Sequence, residues 1–255
     1  MPDKYLNSLL IFFLIIAGLA VHAADPYWEK MTRDEVIALI ENTPADKKPD
    51  LMEKDFRGQD MSGIDFRGAD LFYTHMRGVN LAGANFENAT LDLAIMLDAD
   101  LTGANFKNAR LNSTGLDGAN LNKADLSNAY LVAKMNRANL EGATLVNVMA
   151  GANMKNQSMG MIRTELDYAN LKNANLENAD VSNCTMRFAK LQNANLKGVD
   201  FTWCDLSKVN FTGADLTGAI FTDAKLTGAV FKNIRGKDSL VGLDTARDLD
   251  RAEFD

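Results

Sequence analysis

Few residues of this 255-residue chain could do bond-making chemistry. Histidine occurs twice, as His22 and His75, too thinly for a zinc site or an acid–base pair. His75 reads as a surface residue without a companion. The two cysteines, Cys184 and Cys204, stand 20 residues apart. Methionine occurs 12 times, and Met149, Met154, Met159 and Met161 form the closest group, a soft-donor set that suits copper(I). However, Met61, Met76, Met96, Met135, Met154 and Met186 all fall where the repeat described below demands a core side chain, so packing explains them. Asp60, Asp70, Asp100 and Asp125 recur at repeat positions and do not form a catalytic carboxylate pair. No phosphate loop, nucleophile elbow or metal-ligand spacing occurs. The expectation is no cofactor, no metal and no enzyme. Aromatic residues are the better leads: Tyr168, Phe188 and Trp203 as a partner patch, and Phe72 with Tyr73 as a second exposed pair.

The elements that carry these residues begin with an address. Leu9 to Val21 is an uncharged run of 13 residues, short of the roughly 20 a bilayer helix needs. It ends in Val21-His22-Ala23-Ala24, the small-residue pattern of a secretory signal peptide cut after Ala23. The competing reading is an uncleaved anchor, since Lys4 is a weak basic start. No cysteine sits at the cut, where Ala24 follows Ala23, which argues against a lipoprotein. The expected product is periplasmic or secreted and lacks a stable membrane span after processing. Residues 24–53 form an N-terminal helical cap: Thr32-Arg33-Asp34-Glu35 is a capping box, followed by Val36, Ile37, Leu39 and Ile40. Asn42, Pro44 and Pro49 end that helix, and no proline follows Pro49.

From Phe56 an apolar residue recurs every five positions. One run extends from Phe56 and Met61 to Leu131, the other from Met161 and Leu166 to Phe231. All 31 positions are Leu, Phe, Met or Val, and the residue two places earlier is alanine in 19 of them. Neither the helical nor the strand period gives this spacing. In an extended chain, residues two apart share a side. Ala119 and Leu121 therefore face in and Asn120 faces out. The two residues that remain must turn the chain, and Gly58, Gly63, Gly68, Gly78, Gly83, Asn88, Gly103, Asn108, Gly118 and Asn128 occupy one of them.

Units such as Ala119-Asn120-Leu121-Asn122-Lys123 and Ala174-Asn175-Leu176-Glu177-Asn178 resemble the A(D/N)LxX signature of the pentapeptide repeat family. The resemblance spans residues 54–236 and implies an all-β solenoid, a right-handed quadrilateral β-helix with four pentads per coil. About nine coils at about 4.8 Å each make a rod of about 43 Å. Four pentads per coil place Phe66, Phe86 and Phe106 in one internal aromatic column. They also place Cys184 and Cys204 one coil apart in the small inward slot, close enough for a disulfide but with parallel side chains, which favours free thiols. Tyr168 and Phe188 share a corner, with Trp203 on the preceding face of the next coil. Between the two runs the inward residues read Met135, Leu140, Leu145, Met149, Met154 and Met161. Two one-residue deletions repaired by an insertion near Gln157-Ser158-Met159-Gly160 would keep one uninterrupted coil with a bulge.

Residues 237–255 form a C-terminal cap in which Leu240, Leu243, Ala246, Leu249 and Phe254 approach helical spacing. A cap there protects the open edge and can also dimerise, so a monomer and a C-terminally mediated homodimer both stand. Apolar residues make up 47% of the chain and charged residues 24%, which excludes a disordered acidic tail. The net charge of -7 resides in residues 24–53 and 237–255, because basic and acidic residues balance across 54–236. Some family members mimic DNA and protect a type II topoisomerase, which asks for an acidic coil and a cytoplasmic address. A neutral coil behind a secretory leader fits instead a scaffold for another protein or an envelope component, with no nucleic-acid partner.

Overall fold

The computed structural model describes residues 28–151 and 163–255. The leader through Ala23, the inward positions assigned to Met154 and Met161, and the insertion at Gln157–Gly160 lie outside them. Each pentad is an inward pair, as Ala84 and Phe86 are, and one turn. After Leu81 the chain reverses through Ala82 and Gly83, and the Ala84 N–H donates to the Leu81 carbonyl at 3.0 Å. Gly83 has φ +66°, as the third residue of a type II turn requires. Between turns, single extended residues pair in parallel with the next coil: Leu81 N–H donates to Asp100 O at 2.7 Å and Asp100 N–H to Val79 O at 3.0 Å.

Bridges such as Asp60↔Asn80↔Asp100↔Asn120 advance by 20 residues. One coil is therefore four pentads, and the stack has four faces. The first face carries the outward column Asp55, His75, Ile95, Gly115, Lys134, Glu165, Thr185, Asp205 and Lys225. The second begins at Asp60, the third at Asp65 and the fourth at Asp50, which pairs with Asp70. Few bridges join into named strands: β1 (Glu29–Lys30) pairs with β2 (Lys54–Asp55), β3 (Thr114–Gly115) with β4 (Ala133–Lys134), and β5 (Val230–Phe231) with β6 (Glu253–Phe254), all in parallel. Leu, Phe, Met and Ala fill the interior and are almost fully buried. Phe66, Phe86 and Phe106 stack at 5.0 and 4.8 Å between centroids.

The repeat signature has a physical reason on the second and third faces. An outward Asp or Asn accepts the N–H of the residue two ahead, as Asn80 Oδ1 does from Ala82 at 3.1 Å. Its amide also reaches the coil before it: Asn105 Nδ2 donates to Asn85 Oδ1 at 2.9 Å and Asn170 Nδ2 to Asn139 Oδ1 at 3.0 Å. Both groups hold the turn and the register together.

The central break differs from the sequence expectation. Asn120 pairs with Asn139, a step of 19, so one residue is lost at the corner occupied by Val132. The inward series then runs Met135, Leu140, Leu145, Ala150, all buried, whereas Met149 points outward and is 51% exposed. There is one deletion here rather than two. Apolarity favoured Met149 over Ala150, but Met149 pairs with Tyr130 in the outward column, which keeps the five-residue step and leaves Ala150 inward. The next coil steps by 31, from Lys134 to Glu165 and from Met149 to Asp180, which places 11 extra residues between Ala150 and Thr164. Thr164 Oγ1 closes the junction, donating toward the carbonyls of Leu131 and Ala150, each at 2.8 Å.

Both ends are covered. Helix α1 (Arg33–Asn42) starts in the Thr32–Glu35 capping box. It buries Val36, while Met31, Ile37, Leu39 and Ile40 pack on the end of the core. The C-terminal segment is not an α-helix but a last coil built of six-residue units. Arg235, Val241, Arg247 and Glu253 pair with Asp215, Ile220, Lys225 and Val230. A 3-10 turn fills each corner, at Lys237–Ser239, Leu243–Thr245 and Leu249–Arg251. Leu240, Leu243, Ala246, Leu249 and Ala252 pack on the core from this coil. Their spacing of three is that of a 3-10 turn and imitates an α-helical stripe over a short stretch.

Candidate functional site

Every pentad needs a left-handed residue, and its side chain tells the four corners apart. On the two corners between the second, third and fourth faces, 16 of 17 such residues up to Asn233 are Gly or Asn, Lys123 being the exception. On the corners that enter and leave the first face only 5 of 16 are. The entering corner carries Glu53, Tyr73, Leu93, Ser113, Asn183, Trp203 and Asp223; the leaving corner includes Asp98, Arg137, Tyr168, Phe188 and Lys208. A left-handed backbone costs a side-chain-bearing residue roughly 1–2 kcal/mol. Among the described residues, aromatic side chains and Leu take these positions only on the two corners beside the first face.

The outward column of the first face departs from the signature as well, because His75, Ile95, Gly115, Lys134, Glu165 and Thr185 cannot cap the next turn as Asn80 does. Another device replaces it. Asp117 Oδ1 accepts Asn136 N–H at 2.7 Å, Asn136 Oδ1 accepts Asp167 N–H at 3.0 Å, and Asp167 Oδ1 accepts Arg187 N–H at 2.8 Å. The capping side chain thus comes from the previous coil. Asp92 does the same for Asn112 on the fourth face at 3.1 Å. These residues were missed in the sequence. The signal was present: an Asx after the inward residue of one coil where the Asx before it is missing in the next.

Tyr168 and Phe188 stack with centroids 4.7 Å apart and planes 3° from parallel. Lys208 Nζ lies 5.0 Å from the Phe188 centroid. Tyr168 is 52% exposed and Phe188 39%. Trp203, 54% exposed, sits across the first face on its entering corner and makes no ring contact with the pair among the described residues. The three therefore rim one face rather than forming one cluster. Met149 and Val241, the other exposed large apolar side chains among the described residues, belong to the adjacent fourth face. Beside Tyr168 a groove of about 640 Å³ runs along the leaving corner. Its lining includes Asp117, whose carboxyl is raised above the usual range by burial and by the charge of Glu165. Asn136 bridges the two, donating from Nδ2 to Glu165 Oε2 at 3.0 Å.

The N-terminal part of the first face corrects the sequence reading. Tyr73 and His75 are not exposed; they retain 2% and 6% of their surface. The reason is Trp28, whose ring lies 5.0 Å from Tyr73 and 4.6 Å from His75. Cys184 and Cys204 are free and buried in the small inward column, and burial pushes both thiols up. Among the described residues no group of side chains could hold a metal ion and no helix is long and apolar enough to cross a membrane.

A 20-residue parallel coil with four flat faces defines a β-solenoid of the pentad type. Pentapeptide repeats match in eight copies over residues 50–88, 94–131, 164–202 and 194–233. The chain belongs to the pentapeptide repeat family. Among solved structures it is similar to HetL, a pentapeptide repeat protein involved in heterocyst differentiation regulation from Nostoc sp. strain PCC 7120. That similarity has 28% identity, covers 88% of this chain and 94% of HetL, and has a TM-score of 0.41. A trypsin-treated form of QnrB1, a plasmid-mediated fluoroquinolone resistance protein, is 18% identical over 81% of this chain and 89% of its own, with a TM-score of 0.38. A pentapeptide repeat protein of the Arabidopsis thaliana thylakoid lumen is 27% identical over 66% and 69%, with a TM-score of 0.13. No curated protein matches the chain.

Proposed function

We propose that this chain is a non-catalytic scaffold that binds another polypeptide or an envelope component through its first face and the two corners beside it. Its coil is right-handed, as the family implies, and it works in the periplasm or outside the cell once residues 1–23 are removed. One observation carries the reading: Tyr168, Phe188 and Trp203 stay exposed at left-handed positions that Gly or Asn would fill at lower cost. The hexad coil over the C-terminal end supports a cap rather than a dimer contact.

A photo-crosslinking residue at position 203 tests the surface. It is expected to trap a discrete partner, while the same probe at Gly83 on the opposite corner traps none; equal labelling at both positions would refute it. Fractionation of a C-terminally tagged product tests the address, with a mature chain starting at Ala24 expected outside the cytoplasm. A full-length cytoplasmic product would turn the reading to the DNA-mimicking, topoisomerase-protecting alternative.

A further inference from the structure

Where the first face begins, the chain covers its own aromatic site. The indole of Trp28 lies on Tyr73 and His75, and its Nε1 donates to the Tyr73 carbonyl at 2.8 Å. Tyr73 and Ile95 beneath are almost fully buried, and Phe72, Leu93 and Leu97 complete an apolar cluster separate from the coil interior. Tyr73 and Leu93 occupy left-handed positions, as Tyr168, Phe188 and Trp203 do. Trp28 belongs to a short, lightly held segment. Strand β1 is two residues long, and the Met31 N–H to Asp55 O bond measures 3.2 Å.

Under the indole lies a polar atom with nothing to bind. His75 Nδ1 is buried without a hydrogen-bond partner. Arg57, Arg77 and Asp55 are the charged groups that act on the ring from the coil. Asp55 is itself paired with Arg57 at 2.8 Å. On the N-terminal strand Glu29 is paired with Lys54, and Lys30 is exposed. Arg77 is paired in turn with Asp98 at 3.4 Å.

We infer that Trp28 is a removable plug over an aromatic-binding site on the first face, and that protonation of His75 lifts it. The site takes an aromatic side chain with an N–H donor, since that is what its present occupant supplies. It is separate from Tyr168, Phe188 and Trp203. Burial, then Arg57, holds His75 at about 4, against an ordinary value of 6.5. Lifting the plug removes the burial while Arg57 and Arg77 stay on the coil, so the affinity for a proton rises toward the ordinary one without reaching it. The open form therefore gains protons first as pH falls, and the closed form weakens from below pH 6.5 down to about 4. Over that window the opening constant rises about tenfold per pH unit.

The test uses the full mature chain with Trp203→Phe, which leaves Trp28 as its lone tryptophan. Amide exchange at Met31, corrected for intrinsic rate, should show the opening constant rising about tenfold per unit between about pH 6 and 4.5. Trp28 emission should move to the red over the same range while the coil's circular dichroism stays unchanged. In His75→Gln the exchange should be independent of pH. In Trp28→Ala, anilinonaphthalene sulfonate should bind at pH 7.5, where the parent binds none. An equal pH dependence in His75→Gln, a flat profile in the parent, loss of the coil signal in step with Met31, or no dye binding by Trp28→Ala would each overturn the inference.

Discussion

The two tryptophans sit in opposite circumstances, and replacing each measures how far its side chain is needed for folding. Trp203 is half exposed and makes no ring contact among the described residues, at φ +61°. Trp203→Asn gives up about 100 Å² of buried apolar surface, worth at most about 2.5 kcal/mol. Asn tolerates the left-handed backbone, as Asn183 does one coil earlier, and this returns roughly 1–2 kcal/mol. The net cost is at most about 1.5 kcal/mol, or about 3–6 °C in Tm for a chain of this size. Trp28 is 6% exposed and donates a buried hydrogen bond. Trp28→Asn should cost local stability of about 3 kcal/mol or more, read as faster amide exchange at Lys30 and Met31. Urea and thermal unfolding followed by circular dichroism measure the first, with the urea m-value required to stay constant. If Trp203→Asn costs more than about 2 kcal/mol by this measure, Trp203 is a structural residue, and its left-handed position says nothing about a partner.

Three further outcomes follow from the packing and charges. Phe86 stacks on two neighbours at 5.0 and 4.8 Å. Phe86→Leu, a residue that the same column accepts at Leu126, should cost about 1–3 kcal/mol by urea unfolding, the worth of two aromatic contacts. Asp117 is raised by burial and by Glu165, so it favours the folded state below its unfolded pKa and opposes it as pH rises. Asp117→Asn, which keeps the oxygen that accepts Asn136 N–H, should therefore raise Tm at pH 7 and lose that advantage at pH 3. Cys184 and Cys204, both buried with thiols pushed up, should stay inert to a thiol reagent until the coil unfolds, and intact mass should not change on reduction.

Much of the coil is legible because its period follows from a local unit. The inward Leu81, the small Ala84 and the left-handed Gly83 each obey a rule that needs no knowledge of distant residues. Where the sequence misleads, a contact between remote segments decides the outcome. Tyr73 and His75 occupy outward positions, and only the return of Trp28, 45 residues earlier in the chain, buries them. Met149 outbids Ala150 on hydropathy, yet the register inherited from Tyr130 at the coil before it turns Met149 out. The last coil was hidden by arithmetic. Six-residue units with apolar residues at Leu240, Leu243, Ala246 and Leu249 share their short-range spacing with a helix, and only pairing with Asp215 through Val230 distinguishes them.

The rim of the first face was visible as three aromatic residues, but its meaning depended on comparing corners. An exposed Tyr or Trp on an ordinary surface needs no explanation. Here each stands where the backbone penalises any side chain with a Cβ, beside a face whose outward column lacks Asx residues from His75 through Thr185. Substitutes for that lost support are in place: Asp117, Asn136 and Asp167 cap the turns from one coil away. The one-residue deletion at Val132 and the 11-residue excess before Thr164 fall on the entering corner of the same face. The second and third faces, by contrast, keep the Gly, Asn and Asp pattern almost intact. A demand for folding alone would treat four equivalent faces alike. The departures instead concentrate on the first face and its two corners, reach the fourth face at Arg110 and Met149, and are bridged by capping residues from the previous coil.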